Sequence, residues 1–197
     1  YADDFVVLVF GDRGHAEQLW EDMTDLLAPM GLRLAPDKTQ VVHIDEGFDF
    51  LGFRIQRHTQ RGSNRAHVYS YPSRTSLQSM RRKLKTVTKR ITHQSADLLF
   101  RQLSRMVRGW AQYFRHSSAS RAYSHIANYL WWRVWSWLMH KHPRTGKRAL
   151  WAQYHVRGWP QFNGVRLYNP TAMHIQRYRY RGSEIPTPWA PSTAVPA

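Results

Sequence analysis

The sequence predicts an α+β fold in which strands and one helix precede a helical bundle. In the first part of the chain, short apolar runs of strand length surround a single amphipathic stretch. In the second part, apolar residues return at helical spacing. Charge divides the chain at the same place. Residues 1–72 hold 7 Lys/Arg and 11 Asp/Glu, whereas residues 73–197 hold 22 Lys/Arg and 2 Asp/Glu, so the balance changes from −4 to +20.

The first part opens with an apolar run at residues 5–10, which predicts a fully buried strand. An amphipathic helix is expected from His15 to Met30, and Gly31 is placed to end it. The apolar face of this helix would consist of Leu19, Met23, Leu26, Leu27 and Met30. Further strands are expected at 32–34, 39–44, 48–56 and 67–71, with Gly52 interrupting the third of these four. Residues 1–72 are therefore predicted to form one α+β unit.

The second part begins after Pro72-Ser73 and predicts three packed helices. The first follows from apolar residues spaced three and four apart between Leu77 and Ile91. The second begins after Ser95, a residue type favoured as an N-cap, and the third spans about residues 120–140. Residues 73–142 would thus form a helical domain. Residues 143–197 are predicted to be an irregular segment, basic and aromatic, with short strand-like pieces such as 164–168 and a Pro- and Thr-rich tail.

Composition excludes several classes of site. The chain has no cysteine, so disulfides and Cys-ligated zinc are excluded. His140 and His142 have no clear further ligands nearby in sequence, and a polar helix end is favoured over a zinc site. No apolar run approaches the roughly 20 residues that a membrane helix needs, and no secretory leader is present, so a cytoplasmic protein without membrane contact is expected. Because the chain begins at Tyr1, we expect it to be the C-terminal part of a longer protein.

Asp3 and Asp4 immediately precede the first apolar run. Adjacent carboxylates beside a buried segment repel each other unless a cation lies between them. Oxygen ligands of this kind suit Mg²⁺, which proteins hold with one or two carboxylates and substrate phosphates. The pair therefore indicates phosphoryl or nucleotidyl transfer assisted by Mg²⁺. The alternative is an ordinary Asp-Asp turn before a strand.

Basic side chains outside the apolar faces indicate a polyanionic partner. The first helix of the bundle carries Arg81, Arg82, Lys83, Lys85, Lys89 and Arg90 without an acidic residue to balance them. Phosphate binding is favoured over a merely solvated face, because neutralised phosphates release counterions. Further candidates lie in the second helix, at Arg105, Arg108 and Arg115, and near the C-terminus, at Arg177, Arg179 and Arg181. The last three alternate with tyrosines, so a strand there would place all three on one face. Trp110, Tyr113 and Phe114 are expected to pack between helices.

Four segments, in order, resemble blocks of one family. Tyr1-Ala2-Asp3-Asp4 resembles the YxDD hairpin of reverse-transcriptase palms, and Gly31-Leu32-Arg33-Leu34 with Lys38-Thr39 resembles the palm block that follows. Phe48-Asp49-Phe50-Leu51-Gly52-Phe53 resembles the primer-grip block. Gly109-Trp110 with Tyr113-Phe114 resembles the thumb, or maturase-specific, helix. The chain therefore resembles the C-terminal half of a group II intron reverse transcriptase/maturase, most closely over residues 1–140. The resemblance implies a partial palm at residues 1–72, then a thumb/maturase helical bundle.

The resemblance also implies roles for individual residues. Asp3 and Asp4 would hold two Mg²⁺ ions for nucleotidyl transfer. Lys38 would act on the leaving pyrophosphate, although a solvated turn lysine remains the alternative. Primer contacts would come from Phe50, Leu51, Gly52 and Phe53, whose two phenylalanines also suit a protein core.

The implied function is RNA-directed DNA synthesis together with binding and splicing of structured intron RNA. The partners would be intron RNA, an RNA/DNA primer–template and deoxynucleoside triphosphates. A palm of this family takes a further metal-binding Asp from an upstream motif, so we expect residues 1–197 alone not to polymerise DNA. Two alternatives remain open. One is a non-enzymatic RNA-binding maturase module, and the other is a related reverse transcriptase of the diversity-generating or CRISPR-linked type.

Overall fold

The computed structural model describes residues 4–59, 62, 65–90 and 93–176, and of Arg90 it describes only the backbone. Five α-helices and two small antiparallel sheets make up this part of the chain. The helices are α1 (Arg13–Leu27), α2 (Arg74–Arg90), α3 (Ala96–Phe114), α4 (Ser120–Lys141) and α5 (Lys147–Tyr154). The first sheet contains β1 (Phe48–Phe50), β2 (Phe53–Thr59) and β3 (Ala66–Pro72). The second contains β4 (His155–Val156), β5 (Trp159–Phe162) and β6 (Val165–Arg166). The mixed composition predicted from the sequence is confirmed.

The predicted strands before residue 48 are not formed. Residues 5–10 have no strand, and their apolar side chains are exposed, with Leu8 at 78% and Phe10 fully open to solvent. Residues 32–34 and 39–44 also lack strand structure. An apolar run shows that a segment can be buried, but a strand also needs a hydrogen-bonded neighbour. None of the described strands pairs with these segments, which is the physical reason that the prediction was wrong.

Helix α1 forms where the sequence predicts it. The Asp12 carboxylate accepts a hydrogen bond from the His15 backbone N–H at 3.1 Å, and this bond lowers the pKa of the Asp12 carboxyl. A 3₁₀ turn, Ala28–Met30, continues the helix to Gly31, whose φ of 71° ends it. No residue of α1 is buried, and Leu26 is 63% exposed. The apolar face predicted for this helix is therefore not buried in a core: Leu19, Met23 and Leu27 are partly buried, and Leu26 and Met30 are exposed.

The first sheet is built around a tight hairpin turn. Phe50 pairs with Phe53, and the two residues between them, Leu51 and Gly52, both have positive φ, at 47° and 79°. Positive φ at both central positions is typical of a type I′ turn, which matches the twist of the flanking strands. The interruption predicted at Gly52 is this turn. Strand β3 then pairs with β2 and leads directly into α2 at Ser73.

Helices α2, α3 and α4 pack as the predicted bundle. Their shared core consists of apolar side chains that are almost entirely removed from solvent: Leu84, Leu99, Phe100, Leu103, Val107, Ile126, Leu130, Val134 and Leu138. Tyr123 adds a buried polar link, since its hydroxyl donates to the Ala111 carbonyl at 2.7 Å, and burial raises its pKa to about 12. Ser95 precedes α3 as expected, but its hydroxyl binds Asp97 and thereby lowers the pKa of that carboxyl.

The segment after residue 143, predicted to be irregular with short strand-like pieces, forms regular elements within the described residues. It forms α5 and then the meander β4–β5–β6, whose turns at Arg157-Gly158 and Asn163-Gly164 again have positive φ. Leu150, Tyr154 and Leu167 are buried in the core of the bundle. The 8 residues of α5 are too few to show a clear helical period, so its stability comes from this packing. Division of the chain at residues 72 and 142 stays a prediction. Within the described ranges, no helix is both long and apolar enough to cross a bilayer.

Candidate nucleic-acid interface

An open pocket of about 440 Å³ lies where the hairpin turn meets the bundle. It is lined by Asp49, Leu51, Gly52, Ser73, Thr75, Ser76, Ser79, Met80, Lys83 and Trp110. The pocket is built by hydrogen bonds between its walls. The Gly52 carbonyl accepts from the Ser73 backbone N–H at 2.8 Å, and Ser73 Oγ accepts from the Ser76 backbone N–H at 3.1 Å, which caps the start of α2. Trp110 Nε1 donates to Ser76 Oγ at 3.2 Å.

Helix α3 holds the hairpin turn in place. The Tyr113 hydroxyl donates to the Leu51 carbonyl at 2.8 Å, which supports a leucine whose positive φ is otherwise unfavourable. The Phe53 ring packs against Phe114 and Tyr113 at centroid distances of 4.8 and 5.3 Å. Of the four residues predicted to contact a primer, Leu51 and Gly52 line the pocket, whereas Phe53 packs on α3 and Phe50 is half-buried.

The pocket combines groups that suit phosphate oxygens. Ser76, Ser79 and Thr75 contribute hydroxyls in the first turns of α2, and Lys83 contributes an ammonium group. The start of a helix carries partial positive charge, which adds to the attraction for an anion. The Asp49 carboxylate in the wall is paired with Arg54 at 3.3 Å, which offsets its charge. This arrangement can bind a phosphate of a nucleic-acid backbone.

The exposed side of α2 continues the positive charge away from the pocket. Five cationic side chains are exposed within three turns: Arg81, Arg82, Lys83, Lys85 and Lys89. We call four of them, Arg81, Arg82, Lys85 and Lys89, the α2 basic face. No acidic residue occurs in α2. The Arg81 guanidinium lies over the ring of Tyr129 in α4, 4.7 Å from its centroid, so this end of the face is held against the bundle. The side chain of Arg90 lies outside the described residues.

A second basic stripe lies on α3. Arg105 and Arg108 are exposed, as predicted, and Arg101 lies on the same face one turn earlier, a residue that the sequence analysis missed. Arg105 and Arg108 follow Arg101 by four and seven residues, and this helical spacing could have identified Arg101 from the sequence. Arg108 lies over the Tyr168 ring at 4.9 Å, and burial raises the pKa of the Tyr168 hydroxyl against the opposing effect of that cation. Arg115 is half-buried and its Nε donates to His116 at 2.9 Å.

The residues implied in catalysis are not brought together in the part of the chain that the structure describes. Asp3 lies outside the described residues, and Asp4 is exposed on the segment that forms no strand. Lys38 is exposed in a turn in which its backbone N–H donates to the Ala35 carbonyl at 3.0 Å. The described ranges contain no group of three His, Cys, Asp or Glu residues that could hold a metal ion. With Asp3 outside these ranges, the predicted Mg²⁺ site remains untested.

The two histidines at the end of α4 take part in local hydrogen bonds. His140 contacts the Ser136 carbonyl at 2.6 Å, and the His142 ring contacts the Tyr154 hydroxyl at 2.9 Å, so both act in local hydrogen bonds. The alternating arginines, Arg177, Arg179 and Arg181, lie outside the described residues.

Comparison with known proteins identifies the bundle as the informative region. Residues 77–156 match the family described as "Group II intron, maturase-specific domain". The chain is also similar to Protein YkfC of Escherichia coli (strain K12), with 38% identity over 73 residues, which is 36% of this chain and 19% of that protein. The chain thus spans about a fifth of the length of this curated relative. The family match runs from α2 to β4 and includes the α2 basic face. It supports the resemblance of this chain to the group II intron maturase family. The segment predicted to resemble a palm lies outside it.

Proposed function

We propose that this chain is the RNA-binding C-terminal part of a group II intron maturase, and that residues 73–176 bind structured intron RNA and assist its splicing. The observation that carries the proposal is the α2 basic face, which lies within the segment that matches the maturase-specific domain. From residue 98 to residue 176 the chain contains no Asp or Glu. Within residues 73–176, Asp97 is the single carboxylate side chain. A surface with so large an excess of cations attracts a polyanion.

The bundle explains how these charges can act together. The buried side of α2 contributes Met80 and Leu84 to the core, so its opposite side is held rigidly toward solvent. A rigid helix fixes the backbone positions of these cations before RNA binds, so mainly side-chain freedom is lost when they meet phosphates. Each phosphate that is neutralised releases condensed counterions, which makes the binding strongly dependent on salt. The pocket at Gly52 and Lys83 lies at the start of the same helix and would add further phosphate contacts to those of the α2 basic face.

The proposal predicts a specific loss of RNA affinity when the α2 basic face is reduced. In the double variant Lys85→Ala/Lys89→Ala, we expect the affinity for a structured intron RNA to fall by about tenfold at moderate salt. The slope of log affinity against log salt should become shallower by about 1.8, since each lost contact removes about 0.9. Both quantities can be measured by filter binding across a salt series.

The matched control is Arg13→Ala/Arg33→Ala, which removes the same charge from exposed positions outside the bundle. We expect this control to change the affinity by less than twofold. Equal losses in both double variants would contradict the proposal, because they would show a response to net charge alone. An affinity that hardly changes with salt would contradict it as well.

We further propose that the longer parent protein is an RNA-directed DNA polymerase, in which Asp3, Asp4 and Lys38 serve the reaction on a primer–template and deoxynucleoside triphosphates. The support is the order of the four resembling segments and the position of the Leu51-Gly52 turn in a pocket beside Lys83. Bound Mg²⁺ would activate the attacking hydroxyl and stabilise the departing phosphate. Asp3 and Asp4 would hold it, and the Phe50–Phe53 turn would position the primer against α2.

Asp3→Ala in the parent protein tests the polymerase proposal. We expect primer extension on an RNA template to be lost, while affinity for intron RNA stays within twofold of wild type, because the α2 basic face is untouched. Residues 1–197 alone should not extend a primer. Extension by the Asp3→Ala parent would contradict the assigned role. A wild-type parent that binds RNA but never extends a primer would favour a non-enzymatic maturase.

A further inference from the structure

An exposed aromatic surface lies on a different part of the bundle, formed by α4, α5 and β4. Trp132 is 59% exposed, Trp151 is 42% exposed and Val156 is 47% exposed. We call these three residues and the half-buried Trp131 the tryptophan surface. Other tryptophans of α4, at positions 135 and 137, are buried in the core. Large apolar groups that remain exposed beside a well-filled core commonly mark a binding surface.

The rings of this surface are held in place from below. Trp151 stacks on the buried imidazole of His155, with centroids 4.2 Å apart and an angle of 4° between the planes. His155 thus covers one face of the Trp151 ring, while 42% of this tryptophan remains exposed. Trp132 packs against Trp131 at 4.9 Å, and Trp131 Nε1 donates to the Gly158 carbonyl at 3.3 Å. These contacts keep flat rings open to solvent without leaving them free to collapse onto the protein.

The charge around these rings favours a nucleic acid over an apolar protein partner. Lys147 and Arg148 precede Trp151 by one helical turn, and Arg157 follows Val156 directly. All three are exposed. Since residues 98–176 contain no carboxylate side chain, these cations have no acidic neighbour in that part of the sequence. Exposed aromatic rings interleaved with cations are the usual means of binding single-stranded nucleic acid.

The tryptophan surface is connected to the α2 basic face. Arg81 of that face lies over Tyr129, and Tyr129 is one turn before Trp132 on α4. From Trp132 the contacts pass to Trp131 and then to Trp151, whose rings lie 4.9 and 5.9 Å from Trp131. One RNA molecule can therefore place backbone phosphates on α2 and nearby bases on the tryptophans.

We propose that the tryptophan surface binds unpaired RNA bases by stacking, next to the phosphate contacts of the α2 basic face. This inference rests on the proposed RNA-binding function and adds a second, chemically different site to it. Phosphate contacts do not distinguish paired from unpaired RNA, whereas stacking on an exposed ring requires a base that is free of its helix. The tryptophan surface would thus select loops, bulges or single-stranded ends.

The test compares two probes on the full chain. One is a fluorescent oligoadenylate of about 12 nucleotides, and the other is a blunt RNA duplex of similar length. Stacking on a ring contributes about 1 kcal/mol or more per base, so Trp132→Ala and Trp151→Ala should each weaken binding of the single strand by about fivefold or more. Duplex affinity should stay within twofold. Trp151→Phe should retain most of the single-strand affinity, because a phenyl ring can still stack.

Controls separate this proposal from the proposed function. Trp20→Ala removes a tryptophan from α1, where acidic residues surround it, and should leave both affinities unchanged. Lys85→Ala/Lys89→Ala should weaken the binding of both probes, because it removes contacts to backbone phosphates. A wild-type chain that binds neither probe would refute the proposed function, and the stacking proposal with it. Unchanged single-strand affinity in folded Trp132→Ala and Trp151→Ala chains would overturn the stacking proposal alone. Loss of self-association in these variants, without loss of RNA affinity, would instead assign the surface to a contact between copies of the chain.

Discussion

Replacing Phe114 by alanine is expected to lower the free energy of unfolding by about 3–5 kcal/mol. Phe114 is only 2% exposed, and its ring contacts those of Phe53, Trp110 and Tyr113 at centroid distances of 4.8, 5.0 and 4.8 Å. Truncation would remove the transfer free energy of the ring and leave a cavity between α3 and the first sheet. It would also remove the main apolar contact of Phe53, so the Leu51-Gly52 turn should lose its fixed position.

Urea denaturation of the full chain measures this loss, and Tyr113→Phe is the matched control. That control keeps the ring next to Phe53 but removes the hydrogen bond from the hydroxyl to the Leu51 carbonyl. We expect it to cost only about 0.5–1.5 kcal/mol. If Phe114→Ala cost less than Tyr113→Phe, the hairpin would be held to α3 by the polar contact, and the packing argument would be wrong.

The parts of the fold that the sequence predicted well are the long periodic helices. In α4, Tyr123, Ile126, Leu130, Val134 and Leu138 recur at spacings that place them on one face, and all five are buried. A 22-residue helix repeats its pattern enough times to define that face. The α2 basic face follows from the same periodicity, because the residues between the buried positions must point outward.

The parts that the sequence could not predict depend on contacts between distant segments. The apolar run at residues 5–10 reads as a buried strand, yet pairing requires a partner that a local pattern cannot show. Leu51 adopts a positive φ that leucine does not favour, and the bond from Tyr113, 62 residues away, supports it. The tryptophans of α4 occur on nearly every side of the helix, so which of them stays exposed is decided by the packing of α5 and β4.

A second large effect is expected at His155, whose replacement by phenylalanine should stabilise the chain. His155 is 7% exposed, and neither ring nitrogen has a hydrogen-bond partner among the described residues. An unsatisfied buried polar group costs about 1–3 kcal/mol, which an apolar ring of similar shape avoids. A phenyl ring can also keep the stacking on Trp151 that the imidazole provides. The variant should therefore gain stability and retain the tryptophan surface.

The gain should grow as the pH falls. Burial lowers the pKa of His155 below its ordinary value of 6.5, and this effect outweighs the opposing influence of the Trp151 backbone. The unfolded chain therefore takes up a proton at this residue before the folded chain does, and the wild type loses stability as the pH falls below about 6.5. His155→Phe removes that loss, so its advantage in urea denaturation should be larger near pH 5.5 than near pH 7.5. His125→Phe, at an exposed position of α4, is the control and should show no such advantage. A pH dependence of stability that is the same in wild type and His155→Phe would show that the buried imidazole does not determine it.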